Sequence, residues 1–536
     1  MPGWAAAAAA AAAAALLLAA GAGAQGAQGA QGAQGALPNV VLYVADDLGV
    51  GEVNQQELAW AVTDTPHAVA PERTIWTPNL ARLAREGMRM TRSYTASPLC
   101  GPSRFALMTG IPTGRSRVRG NAAGTDLAAG DASLPRLLKH KGYRTYLVGK
   151  WGLGAQLEGW DRFLGFQGQA EAHYVFPSFL WRSEAGVRSK LDLSAANAKA
   201  SPARCHCEMN ATCALDAGTG LRQNSPRCRN ANAEFRRQAL AFVDEHAQSG
   251  TAAPFFLMWG SIAPHAGLYS PAQPLSRPHT SPVSTYGRYA GKAKALGAAR
   301  AGHMATITHE LDADVGALLD KLRARGLDGS TLLIFMSDNG PHVETNPETA
   351  AFFSATMGLR GVKRDVLEGG VRSPTIVRWP GRVAAGSVSS EFHAGYDLPL
   401  TVAALIGVPA TDPALAPFAA AGAASFHRAL LGLPSDAKVP RRKGIELEIC
   451  IRPSTGCDFA FYDLSDPKRV VKVVRRGYRS ELYDLSSDPF ESDDLLVSQA
   501  RAAPAMLNRS LSLMAALALR VPDCPYSQLE CATSPK

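Results

Sequence analysis

The chain has 536 residues, 46% of them hydrophobic and 19% charged, with a formal net charge of +9. That composition is ordinary for a globular protein, and the length can bury a large core in roughly two to three domains. The positive balance suits an anionic substrate, an anionic polysaccharide or a membrane surface; the charge is scattered, and no Lys/Arg run forms a stripe that would bind nucleic acid.

The N-terminus carries an alanine-rich apolar stretch, Ala5 to Ala20, with Leu16, Leu17 and Leu18 inside it. It is too short and too alanine-rich for a stable membrane span, and Ala22-Gly23-Ala24 fits the small-x-small rule for cleavage. Residues 1–24 therefore read as a signal peptide, with a retained anchor as the competing reading. The Ala-Gln-Gly repeats over 25–36 have nothing to pack and read as a spacer. The expected route is the secretory pathway, ending outside the cell or in a lysosome- or vacuole-like compartment. Nine cysteines fit it: with Cys100 set aside, Cys205, Cys207, Cys213, Cys228, Cys450, Cys457, Cys524 and Cys531 are an even set suited to disulfides. His206 within the first four offers a zinc site instead, but no Cys-x-x-Cys pair supports it. Asn210-Ala211-Thr212 and Asn508-Arg509-Ser510 are glycosylation acceptors by pattern.

Further along, apolar β-rich runs alternate with helical patterns. Asn39 to Ala45 ends in Asp46-Asp47, and Thr77-Pro78 open a helix carrying Leu80, Leu83 and Ala84, with Gly87 as its stop. Arg144 to Val148 leads into Lys150, and Pro254 to Trp259 leads to Pro264-His265. His303 to Arg325 places Ile307, Leu311, Val315, Leu318, Leu319 and Leu322 at helical spacing, and Thr331 to Met336 ends in Asp338-Asn339. This alternation argues for an α/β fold, a sheet sandwiched by helices. In such sheets ligands bind beyond the carboxyl ends of the strands, so the four polar groups are expected to converge on one edge. The Ala/Pro/Gly-rich stretch near 410–440 suggests a boundary between a domain over 37–430 and a smaller α+β domain over 431–536. In the latter, Val470 to Val474 and Ser480 to Leu485 read as strands and Ala502 to Leu519 as a closing helix.

Asp46, Asp47, Asp338 and Asn339 are hard oxygen ligands on two strand-to-loop junctions, a set that suits one Ca2+ ion and Mg2+ less readily. Each pair alone is also an ordinary turn or helix cap. Lys150 and Lys363, if directed at one pocket, would hold the oxygens of an anionic ester as charge develops. His265 can act as the general acid for a departing oxygen. Cys100 lies in Leu99-Cys100-Gly101-Pro102-Ser103-Arg104, before a helix expected to begin at Pro102 with its free N–H groups turned toward an anion near residue 100.

The Cys-x-Pro-Ser-Arg pentad, followed by Thr109-Gly110, resembles the signature of the type I sulfatases. Arg119-Gly120-Asn121, Gly149-Lys150-Trp151, Ser337-Asp338-Asn339-Gly340, Glu368 to Pro374 and Glu481 to Leu485 agree with it, closest to the arylsulfatase A and N-acetylgalactosamine-6-sulfatase branch. The resemblance implies an alkaline-phosphatase-like large mixed sheet and hydrolysis of sulfate monoesters. It implies that a formylglycine-generating enzyme oxidises Cys100 to an aldehyde whose hydrate attacks sulfur. The second hydroxyl of the hydrate then expels sulfate and regenerates the aldehyde. It further implies that residue 100, as formylglycine, joins Asp46, Asp47, Asp338 and Asn339 around the metal, that Arg104 is catalytic, and that Lys150, His265 and Lys363 hold a sulfated small molecule or glycan.

One departure stands out. The family often has Lys-x-His where this chain has Lys150-Trp151-Gly152, which leaves the proton acceptor of the regeneration step unfilled. His173 is the expected substitute, with His342 a second candidate, and Gln169 stands where some members have a sulfate-contacting serine. A phosphodiester or phosphonate hydrolase of the same architecture, or a sulfated-glycan-binding homologue without turnover, are the competing readings.

Overall fold

The computed structural model describes residues 37–53, 73–121, 126–194, 229–265, 296, 298–344, 348–434, 442–452, 456–499, 501 and 503–516. The segments read as a signal peptide and spacer over 1–36, the cysteines at 205–228, Asn210, Cys524 and Cys531 lie outside them.

A mixed sheet of ten strands organises the fold. From edge to edge its strands are Ser387–Ser389, Met88–Met90, Thr375–Arg378, Thr331–Ser337, Asn39–Asp46, Phe255–Pro264, Arg144–Lys150, Arg162–Phe166, Phe179–Glu184 and Val187–Asp192. The four runs that end in polar groups are neighbours in this order and run parallel. Antiparallel strands flank this parallel centre.

The central strands are buried along their length, which suits their continuous Val/Leu/Ile/Phe runs. Period-two alternation sends their side chains to two cores. On one face Val41, Tyr43, Leu257, Trp259, Leu333 and Phe335 meet helices Pro78–Glu86, Ala231–Gln248 and Ala313–Ala324. On the other, Val40, Leu42, Val44, Phe256, Met258 and Ile334 meet helices Cys100–Thr109, Leu134–His140 and Leu398–Leu405.

The helix from Pro78 starts and ends as its sequence indicates, but the Thr77 hydroxyl does not cap it. The Asp312 carboxylate, from a different helix, accepts instead from the N–H groups of Asn79 and Leu80. The segment from His303 is helical to Ala324, with Arg325 as its C-cap, but Thr306–Asp312 widens into a π-helical turn between two α-helical stretches.

A second, antiparallel sheet of Gly444–Arg452, Gly456–Asp466, Arg469–Arg476 and Arg479–Asp484 follows. One face buries Ile445, Leu447, Tyr462 and Val474 with Tyr94, Leu99, Ala106 and Val371 of the larger layer. The other carries Phe459, Phe461, Val473 and Leu482 under the helix Ala503–Ala516. Cys450 and Cys457 are disulfide-bonded across its first hairpin. Among the described residues no helix is long and apolar enough to cross a membrane.

Candidate active site

At the carboxyl edge of the parallel strands the chain brings Asp46, Asp47, Cys100, Arg104, Lys150, His265, Asp338, Asn339 and Lys363 together, and all are buried. Asp46 ends its strand, and Asp47 follows with φ +66°. Consecutive strand residues face opposite sides, so this left-handed turn is what lets two adjacent carboxylates serve one pocket. Asp338 and Asn339 directly follow the neighbouring strand, and the Asp338 Oδ1 accepts from the Asp47 N–H at 3.2 Å.

Cys100 opens a helix that starts at Cys100 itself and not at Pro102. Proline is tolerated in a first turn, where its missing N–H has no partner to lose, and the ladder begins with the Ser103 N–H on the Leu99 carbonyl. The Gly101 N–H is not free for an anion, because it donates to the Asn121 Oδ1 at 2.9 Å. The Cys100 thiol lies 3.5 Å from the Asp46 Oδ1 and 3.8 Å from the Asp47 Oδ1, and burial pushes its pKa well up. It is therefore a poor thiolate nucleophile.

The cations are arranged around the carboxylates. The Lys150 Nζ donates to the Asp46 Oδ2 and the Lys363 Nζ to the Asp47 Oδ2, each at 2.8 Å. The Arg104 Nε donates to the Asp338 Oδ2 and its Nη1 to the Lys150 carbonyl, both at 2.8 Å. Lys363 also donates to the His265 Nε2 at 2.9 Å. Burial and the Lys363 charge together hold His265 well below its usual pKa, so the imidazole is neutral and the proton of this pair rests on Lys363.

Burial pushes Asp46 upward, but the pull of Lys150, His265, Arg104 and Lys363 outweighs it and holds the carboxyl well below the usual range. Asp338 is pushed up to about 7 by burial and by repulsion from Asp46. The Asn339 Nδ2 donates to the Asp47 Oδ1 at 2.7 Å, while its Oδ1 is buried with no hydrogen-bond donor among the described residues. An unsatisfied amide oxygen beside crowded carboxylates, with no soft ligand required, fits a hard divalent cation.

The two candidate histidines occupy different places. His173 ends a short turn, Ala170–His173, and stands edge-on to His265 with ring centroids 4.3 Å apart. His342 has its Nε2 3.1 Å from the Pro264 carbonyl and accepts the Glu344 N–H at its Nδ1. Both its nitrogens are engaged, so it braces the segment before His265. Two further contacts complete the site: Glu344, 3.3 Å from the Lys363 Nζ, and Asn121, which accepts from the first turn of the Cys100 helix. The Asn121 contact lies within a motif the sequence does display; Glu344 leaves no such trace.

Comparison with known proteins identifies the family. The chain is 31% identical over 396 residues to the N-acetylgalactosamine-6-sulfatase of Sus scrofa, covering 70% of this chain and 64% of that one. It is 31% identical over 408 residues to the steryl-sulfatase of Mus musculus, covering 69% and 62%. The chain thus spans a little under two thirds of these relatives. Among solved structures, one from work on glycosaminoglycan metabolism in Bacteroides thetaiotaomicron superposes with a TM-score of 0.62 at 21% identity, covering 90% of this chain and 99% of that one. The phosphonate monoester hydrolase of Agrobacterium radiobacter superposes at 0.58 with 18% identity, covering 90% and 96%. These share the alkaline-phosphatase-like fold, a large mixed sheet with a small C-terminal antiparallel one. The Sulfatase family model matches residues 38–408, well over half of the chain, and with the 31% identical relatives this establishes that the chain belongs to the sulfatase family.

Proposed function

We propose that the protein hydrolyses sulfate monoesters, of a sulfated small molecule or glycan, with formylglycine made from Cys100 and one bound Ca2+. The observation that carries this reading is the enclosure of Cys100 by Asp46 and Asp47, with Lys150 and Lys363 tied to those same carboxylates. A thiol with a raised pKa has no use there, whereas an oxygen nucleophile beside a metal does.

Asp46, Asp47, Asp338 and Asn339 would hold the ion, which would supply positive charge against the negative charge that develops on the ester. Oxidised to formylglycine, residue 100 supplies a hydrated aldehyde as nucleophile. Arg104 fixes Asp338 through one hydrogen bond and the backbone at Lys150 through another. Lys150 and Lys363 stay charged at neutral pH, since Asp46 and Asp47 raise their pKa values against the cost of burial. Both are available to equatorial oxygens that gain charge as the ester bond breaks. The departing oxygen takes its proton from the Lys363–His265 pair, with His265 as the group facing the ester. His173, whose ring stands edge-on to His265, accepts the proton of the regeneration step in place of a side chain at Gly152.

The substrate class rests on the names of the relatives, an amino-sugar sulfatase and a steroid sulfatase, and these leave sugar and sterol sulfates both open. The test is the mass of the residue-100 peptide from protein secreted by a host that modifies a control sulfatase, paired with turnover of matched aryl sulfate and phosphate esters. The expected outcome is an aldehyde at residue 100 with the sulfate ester preferred. Preference for the phosphate ester would assign the phosphonate-hydrolase chemistry. An intact thiol without turnover would assign a sulfated-glycan-binding protein.

A further inference from the structure

The strand Arg162–Phe166 ends beside Lys150, and from there the segments 151–154 and 166–169 run together, with the Trp151 N–H on the Phe166 carbonyl and the Gly154 N–H on the Gln167 carbonyl. This pairing delivers the Gln169 side chain to a small space between two glycines. Its Nε2 donates to the Gly152 carbonyl at 2.7 Å. A Cβ on Gly152 would meet that same Nε2 at 2.5 Å, and a Cβ on Gly101, the residue after Cys100, would meet it at 3.4 Å. Gly152 has φ +76°, so a side chain there is disfavoured by the backbone as well. The volume that a side chain at 152 would fill is taken by the carboxamide of Gln169.

The orientation of that carboxamide follows from its partner. Only an N–H can face the Gly152 carbonyl oxygen, so the amide cannot be flipped, and its Oε1 is committed to the opposite side. There the Oε1 is buried and has no donor among the described residues. A buried acceptor without a donor costs about 1–3 kcal/mol, so a hydroxyl arriving beside it is held. A sulfate oxygen carries no proton and would be repelled.

We propose that Gln169 is a positioning residue whose Oε1 accepts a hydrogen bond from the hydrated residue 100 and so favours the hydrate over the free aldehyde. This rests on the formylglycine reading above. Gln169 takes no proton; that remains with His173, four residues on at the end of the adjoining turn. The chain thereby divides between two side chains, one orienting and one basic, what a single histidine at residue 152 would combine.

The experiment uses the full chain secreted from a modifying host, as wild type, Gln169→Met and Gly152→Ala. Methionine keeps the length and fill of glutamine but deletes the acceptor, while Gly152→Ala displaces the carboxamide without altering Gln169. In both variants the residue-100 peptide is expected to show the wild-type degree of oxidation. Labelling by an aryl hydrazide, which takes the free aldehyde, should quicken about three- to tenfold, the scale of one hydrogen bond. On an aryl sulfate, kcat should fall about tenfold with KM within about twofold. Unchanged labelling and kcat in both variants, or a rise in KM alone, would overturn the assignment, the latter by making Gln169 a substrate contact. An intact thiol in the wild type overturns the formylglycine reading and this proposal together, whereas aldehyde with unchanged labelling removes only the role of Gln169.

Discussion

The left-handed conformation at Asp47, φ +66°, costs a non-glycine residue about 1–2 kcal/mol, and it persists because Asn339, Lys363 and the Asp338 carboxylate all hold the residue. Its result is a pocket in which burial and the packed carboxylates and cations set one another's protonation. The hydrogen bond from Lys363 to a neutral His265 makes a specific prediction. Replacing His265 with Asn should lower kcat by about 10²–10³ on alkyl sulfates, whose leaving oxygens need a proton, and by less than about tenfold on nitrophenyl sulfate, whose oxygen does not. Equal losses on both would assign His265 to binding instead. His173→Ala should slow both substrates alike, by about 10²-fold, since regeneration does not depend on the leaving group; unchanged turnover would remove His173 from the mechanism. At this scale most of the site was legible, because Asp46, Asp47, Lys150, His265, Asp338 and Asn339 directly follow or end apolar runs and their residue types state their chemistry. The place of Gln169 was not. It depends on a glycine 17 residues away whose lack of a side chain reads only as an absence in the sequence.

Elements bring these residues to one edge through the close spacing of their strands. Gly149 has φ +99°, and a Cβ there would lie 1.9 Å from the Gly260 carbonyl oxygen of the next strand. Gly149→Ala is expected to cost about 3 kcal/mol or more through combined strain and collision, seen as a lower denaturation midpoint or loss of secreted protein. Wild-type stability would show that the strands can part by a full ångström. The central strands were readable because burial on both faces demands continuous apolar runs. The edge strands Ser387–Ser389 and Val187–Asp192 were not, since both are partly or wholly exposed and carry no such run. The first two strands of the small sheet were missed as well. The π turn at Thr306–Asp312 leaves helical periodicity nearly intact, and the Asp312 cap joins residues over 230 positions apart. Local pattern holds no record of either.

Across the whole molecule, the two sheets are joined by a buried charge cluster as well as by apolar packing. The Glu368 carboxylate accepts from Tyr94, Arg372, Tyr462 and Lys472, and Lys472 also contacts Glu491 at 2.7 Å. Burial alone would raise the pKa of Glu368, but Lys472 and Arg372 bring it down to about 2, while Glu491 is raised by burial and by Glu368. A carboxylate with a depressed folded pKa contributes stability above its unfolded value, about 4.5, and loses it as the pH falls toward 2. Glu368→Gln should therefore cost on the order of 3–5 kcal/mol at pH 7, and the gap in Tm from wild type should narrow between about pH 4.5 and 2. A gap independent of pH would mean that shape, not charge, holds the joint. The same joint also encloses the Cys100 helix, whose first turn carries a thiol only 1% exposed. No protein-sized catalyst can reach that sulfur once both sheets are in place. On the proposed formylglycine reading, oxidation of residue 100 would have to precede closure of the fold, so competence would be decided during biogenesis, and a chain that folded first would be stably shaped and idle.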